Sequence, residues 1–253
     1  MSNATTTEDM PLVSHLLELR DRLLRALLSV LIVFIPLVFF RNELYTLFSN
    51  PIIEAMPEGS KMLATDVAST FFTPIKLTIV ASFFIAIPAV LYQIWAFIAP
   101  GLYEHEKKWV FPLMVFSSSL FYLGIAFAYF VVLPIAFMFF SESTPEGVTL
   151  APDITSYLNL VLKLFFAFGL AFEVPIATFL VVLSGMTTVE SLREKRPYIV
   201  VGAFIVGMLL TPPDAISQTL LAVPMWLLYE VGIIMASKIK KSPEDISDNE
   251  EDA

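Results

Sequence analysis

The chain has no cysteine and only two histidines, His15 and His105. It therefore has no disulfide framework, no thiolate metal ligand and no cysteine nucleophile. Two histidines also leave little from which to build a metal centre. Charge is scarce: 15% of the 253 residues are charged, against roughly 25% in a soluble domain. No phosphate loop, nucleophile elbow, HExxH pair or dinucleotide fingerprint occurs, so nothing here hydrolyses ATP and no metalloprotease site is present. Basic residues are spread thinly over short segments, which excludes a nucleic-acid site. Ten-residue stretches of alternating polarity do not recur, which argues against a membrane barrel.

What is present is apolar surface. Hydrophobic residues make up 57% of the chain and phenylalanine alone occurs 23 times, with a mean hydropathy of +0.77. A soluble fold of this length has no interior large enough for so much apolar area. The chain belongs in lipid, where a crossing helix needs roughly 20 apolar residues and must satisfy its backbone internally. Six segments are expected to be such helices, at about 23–40, 72–98, 109–140, 157–183, 198–210 and 216–236. They form a single all-α membrane domain over residues 1–240, which includes an amphipathic cytoplasmic N-terminal helix at about 11–22 before the first span. The net charge of −9 is concentrated at the C-terminus, where six of the 24 acids lie in the last ten residues. Residues 241–253 read as a disordered acidic tail. Neither end reads as a cleavable signal peptide.

Lysine and arginine set the orientation. Arg20, Arg22, Arg25, Lys107, Lys108, Arg193, Lys195, Arg196, Lys238, Lys240 and Lys241 fall on one side, eleven of the fifteen basic residues. Both termini are therefore expected in the cytoplasm. Prolines recur within the spans, at Pro36, Pro88, Pro112, Pro134, Pro175 and Pro224. Pro134 is expected to kink the long third span near its outer end. The fifth span has 13 residues between Pro197 and Thr211, about 20 Å of helix, and the turn after it carries Asp214 as a cap.

Few residues could carry chemistry. Leu12, Leu16, Leu19 and Leu23 form one apolar stripe, with Glu18 off it. By spacing alone, Glu18 pairs with Arg22 one turn on. Glu104 and Glu106 flank His105 in the first cytoplasmic loop, with no second histidine or cysteine nearby to complete a metal site. Glu173 lies near the middle of the fourth span, at a depth where an ionisable group faces a cavity or a partner. A secondary transporter of a small solute would also use such a residue, yet no internal repeat is visible. An intramembrane hydrolase would need a histidine or paired acids within the spans, and neither histidine lies in one.

Several motifs in order resemble one family. They are residues 15–22 (HLLELRDR), 64–68 (ATDVA), 71–76 (FFTPIK), 92–103 (YQIWAFIAPGLY), 172–175 (FEVP), 195–197 (KRP) and 209–214 (LLTPPD). Together they resemble TatC, the polytopic subunit of the twin-arginine protein translocase, over about residues 11–241. The resemblance implies six helices in a concave, glove-like bundle in the bacterial inner membrane, with no cofactor and no catalysis. It implies a receptor for signal peptides bearing paired arginines on folded cargo, working with the single-span proteins TatB and TatA and driven by the proton-motive force. The family's critical acids fall on Glu18 and Glu106. Arg20, Phe97 and Leu102 match its signal-peptide-binding positions, and Pro51, Pro88, Glu173 and Asp214 match other motif positions. Met208, Thr211 and Gln218 flank the short hairpin. They either hydrogen-bond the turn or dock a single-span partner, and the resemblance favours docking.

Overall fold

The computed structural model describes residues 9–55, 62–98, 110–142, 144–145, 151–210 and 215–238. All regular structure among the described residues is helical, apart from one isolated bridge between Leu63 and Asp153. Four helical stretches are long and apolar enough to cross a membrane: His15–Asn50, Phe111–Ser141, Ile154–Leu183 and Gln218–Ala236. Ser69–Ile85 and Ile87–Phe97 make a fifth if the bent pair is one crossing, and Arg196–Leu209 is apolar but shorter. The chain divides into two compact units, residues 1–166 and 167–253.

The first unit begins with α1 (Asp9–Leu37), a 3-10 turn (Val38–Phe40) and α2 (Arg41–Ala55). No break separates the amphipathic stretch from the first span. The leucine stripe does not face the protein: Leu16, Leu19 and Leu23 are exposed, and between residues 15 and 29 the half-buried positions are Glu18, Arg22, Ala26 and Ser29. In lipid this inversion costs nothing, because the tails are as apolar as leucine.

α3 (Ser69–Ile85) and α4 (Ile87–Ile98) meet at Ala86 with a bend of 53°. Pro88 explains the bend, since its nitrogen cannot donate to the Phe84 carbonyl and its ring crowds that oxygen. Ala86 donates to Ser82 at 3.0 Å and Val90 to Ala86 at 2.9 Å, so the ladder resumes on either side. The Tyr122 hydroxyl donates to the Ile85 carbonyl at 3.2 Å, bracing the bend from outside.

Tyr122 belongs to α5 (Val110–Phe127), which continues through a π-helical turn (Ala128–Val132) into α6 (Leu133–Glu142). Pro134, where a kink is expected, stands just after this turn within one continuous helical stretch. A wider turn before the proline keeps the span continuous, with Leu133 donating to Ala128. The core of the unit is aromatic. Phe84 lies 5.9 Å from Phe121, 6.2 Å from Phe165 and 4.9 Å from Phe166, centroid to centroid. Such tilted pairs add to the burial of the rings themselves.

α7 (Ile154–Ala171) starts at a clasp between two loops. Leu63 donates to Pro152 at 3.0 Å and Ile154 donates to Leu63 at 2.8 Å. Asp153 accepts from the Thr65 hydroxyl at 2.8 Å and from the Ser156 amide at 2.9 Å. It thus caps α7 and holds the loop before α3 at once.

The second unit carries α8 (Val174–Leu183), α9 (Val189–Glu194), α10 (Arg196–Leu210) and α11 (Ala215–Ala236). Gly185, at φ +72°, ends α8 in the left-handed region. Thr188 caps α9 by accepting from the Ser191 amide at 3.2 Å. Val182, Leu192, Tyr229, Ile233 and Ala236 form its buried cluster. α8 and α11 touch at Gly232, where a Cβ would stand 1.9 Å from Thr178 Oγ1 and 3.0 Å from Pro175 Cα.

Candidate functional site

At the start of the first span, Glu18 accepts two hydrogen bonds on Oε1, from Arg22 Nε at 2.9 Å and Nη2 at 2.5 Å. The side chains are 36% and 20% exposed respectively. Helical spacing produces this pair, as four residues make slightly more than one turn. Oε2 of Glu18 takes no part in it. Arg20 points away and pairs with its neighbour Asp21 at 2.8 Å, both well exposed.

The end of α4 meets this segment, because α1 packs along α3 and α4. The His15 ring stacks on Phe97, with centroids 4.3 Å apart and planes inclined by 21°. One turn before Phe97, the Oε1 atom of Gln93 is buried without a hydrogen-bond partner among the described residues. Sequence reasoning passed over both His15 and Gln93. The HLLELRDR motif held the first in view, and nothing in the sequence distinguishes the second. Glu106 and Leu102 lie outside the described residues, as do Thr211 and Asp214. Pro51 lies in α2. Pro88 stands at the bend described above.

Glu173 stands at a break in the fourth span, between α7 and α8. Pro175 lacks the N–H that would bond the Ala171 carbonyl, so the helix yields here. Glu173 donates its backbone N–H to Leu170 at 3.1 Å and accepts from Ala177 at 2.9 Å. Its side chain is half-buried and the Oε1 atom is fully so.

On the short hairpin, Met208 is exposed on α10. Gln218 Nε2 donates to the Phe204 carbonyl at 2.8 Å, tying α11 to α10. This is the turn-bonding role, and it commits the amide nitrogen within the hairpin. Arg196 bonds Glu230 at 2.6 Å, a pair that joins the start of α10 to the later part of α11. Beside it the Tyr229 hydroxyl donates to the Leu192 carbonyl at 2.8 Å.

Away from these groups, the Ser156 amide and then the Thr65 hydroxyl and amide hold the Asp153 carboxyl well below the usual carboxylate range. Among the described residues no group of three or more His, Cys, Asp or Glu could hold a metal ion.

Fold and composition together define a multi-pass, all-helical membrane protein with few ionisable residues. A family model described as "Sec-independent protein translocase protein (TatC)" matches residues 14–224. The chain is 57% identical over 237 residues to the Sec-independent protein translocase protein TatC of Azotobacter chroococcum mcd 1, covering 94% of this chain and 93% of that one. It is 56% identical over 229 residues to the TatC of Escherichia coli K12, covering 90% and 89%. A crystal structure described as the twin-arginine translocase receptor TatC superposes with a TM-score of 0.79 at 38% identity, covering 88% of this chain and 98% of that chain. The chain belongs to the TatC family. It is a component of a protein translocase, a transport subunit.

Proposed function

We propose that the chain is the receptor subunit of the twin-arginine translocase in the bacterial cytoplasmic membrane. It crosses six times with both termini in the cytoplasm. It binds twin-arginine signal peptides of folded proteins and assembles with TatB and TatA for export driven by the proton-motive force. Glu18 and Glu106 take the two arginines, with Arg20, Phe97 and Leu102 around them. Met208, Thr211 and Gln218 face the single-span partners.

The observation that carries this reading is the state of Glu18. It lies on the half-buried face of α1, and its carboxylate already holds a guanidinium, that of Arg22. An incoming arginine would exchange for Arg22. An i,i+4 helix pair contributes only about 0.3–0.5 kcal/mol, whereas a hydrogen bond to a charged group contributes ~1.5–3 kcal/mol, less where solvent reaches it. The exchange therefore favours a peptide that presents a planar fork, and lysine lacks that fork.

The test is photo-crosslinking of a twin-arginine signal peptide to the full chain in membranes. Glu18→Gln and Glu106→Gln should each lower it roughly tenfold, from one charge-assisted bond discounted for exposure. Undiminished crosslinking to the doubly substituted protein would refute the reading.

A further inference from the structure

Within the first unit, α3 and α7 run side by side in the same direction and meet along one seam. Thr73 Oγ1 lies 3.1 Å from Thr155 Oγ1, and Lys76 Nζ donates to Asn159 Oδ1 at 2.6 Å. Further along, the Phe83 ring lies 5.6 Å from that of Phe166. Partners stay 82 or 83 residues apart in sequence, so the register holds throughout. Leu77, Leu158 and Leu162 are buried behind the seam. The seam thus has a polar head and an apolar stem. Lys163, one turn past Asn159 on the same face of α7, brings a second ammonium to the head.

Both lysines are exposed, and neither α3 nor α7 contains an acid. Asp153, just before α7, has both carboxylate oxygens engaged in the clasp with Thr65 and Ser156. Among the described residues the ion pairs are those of Arg20, Arg22 and Arg196. Asn159 is neutral, so it fixes the Lys76 ammonium without cancelling its charge and leaves it further donors. Two such cations one turn apart repel each other, and cations within apolar spans are found paired.

We propose that the head of this seam binds one anionic phospholipid, its phosphate held between the Lys76 and Lys163 ammonium groups and an acyl chain lying along the seam toward Phe83 and Phe166. The lysines stand about 10 Å and about 14 Å past the starts of their helices. Their stems lead the ammonium groups back toward the interface, where lipid phosphates lie. The half-buried rings of Phe83 and Phe166 give the chain apolar surface below. A zwitterionic lipid brings its own ammonium to the same place, so the site prefers a lipid of net negative charge.

The test is native mass spectrometry of the purified full chain in neutral detergent, titrated with phosphatidylglycerol and separately with phosphatidylcholine of the same acyl chains. Phosphatidylglycerol should bind more tightly. Lys76→Gln and Lys163→Gln should each weaken it about fivefold, the worth of one lysine at an anionic lipid, and the double variant about twenty-five-fold. Phosphatidylcholine binding should stay unchanged in all three, and Lys163→Arg should keep the preference. Lys238→Gln removes an exposed charge at the end of another helix and should alter neither affinity. Lys163→Gln decides the matter if the others fold poorly, since it leaves the Lys76–Asn159 bond in place. Equal affinities for the two lipids in the wild type would overturn the proposal, leaving the lysines to a partner's carboxylate. So would an undiminished preference in Lys163→Gln, or a loss as large in Lys238→Gln, which reads net charge alone. Displacement of phosphatidylglycerol by excess inorganic phosphate would also overturn it, by making the head a site for soluble anions.

Discussion

Gly232→Ala should destabilise the second unit by an amount that the geometry bounds. The new methyl would lie 1.9 Å from Thr178 Oγ1 and 3.0 Å from Pro175 Cα. Thr178 cannot simply rotate away, since its hydroxyl donates to the Val174 and Pro175 carbonyls, both at 2.9 Å. These carbonyls lie in the first turn of α8, beside the break at Glu173. Pro175 is backbone and ring together, so α8 and α11 must part by several tenths of an ångström. Overpacking of this kind costs about 1–3 kcal/mol, a factor of roughly 5 to 140 in the folded-to-unfolded ratio. Thr178→Ala should recover part of the loss when combined with Gly232→Ala, and never all of it, because the Pro175 contact remains. The double-mutant cycle isolates that coupling. Unfolding in detergent followed by the fluorescence of Trp226, on the same helix, reads the shift. If Gly232→Ala unfolds at the wild-type midpoint, the close crossing of α8 and α11 is wrong.

Other perturbations read separate parts of the molecule. Glu173→Gln keeps the size and hydrogen bonding of a half-buried group in the membrane and should reduce export less than Glu173→Leu; equal export in both, measured on a folded reporter, would make the residue merely tolerated. Asp153 has a depressed folded value, so its contribution is full above about pH 4, the unfolded carboxylate range, and is lost as pH falls through the folded value. Protection of the Leu63 and Ile154 amides, taken relative to the intrinsic exchange rate at each pH, should therefore be steady from neutral pH to mild acid and fall only in strong acid, whereas Asp153→Ala should lower it throughout the neutral and mildly acid range. Gln218→Leu removes the bond to Phe204 and should loosen the hairpin, read as faster exchange along the start of α11; partner crosslinking that also drops in Met208→Ala would place docking on the same surface.

Much of the fold was legible because lipid makes strict demands. A run of twenty apolar residues has few structures open to it, so the helical class followed from composition and length, and four of the helices are long and apolar enough to cross a membrane, or five if the bent pair is one crossing. The breaks were less legible. Six prolines were visible within the spans, yet Pro88 bends its helix by 53°, Pro134 follows a π turn within a continuous span, and Pro224 sits inside an unbroken α11. The difference lies in what can absorb the lost hydrogen bond: a wider turn, a neighbour's hydroxyl such as Tyr122, or nothing. Sequence spacing does not record those neighbours. Gly232 was invisible for the same reason, since its partner Thr178 comes from another helix. The clasp at Asp153 joins residues 88 apart in sequence, and neither loop carries a local signal of the other.

The acids show where a rule learned on soluble proteins turns over. In water the leucine stripe of α1 would be the buried side and Glu18 the solvated one, and the pair with Arg22 would be surface decoration. Here the same helix places its leucines outward, and over its first turns the side turned to the protein is Glu18, Arg22, Ala26 and Ser29. The ion pair that spacing predicts is therefore present, and it does not compete with the receptor reading. A carboxylate facing inward at the membrane's edge needs a cation to stay charged there. Arg22 supplies it, and on the proposed receptor reading a guanidinium from outside would take its place without leaving the carboxylate bare. Local pairing and recognition thus use one geometry, and the face of the helix, which only the membrane context decides, determines which of them the residue serves.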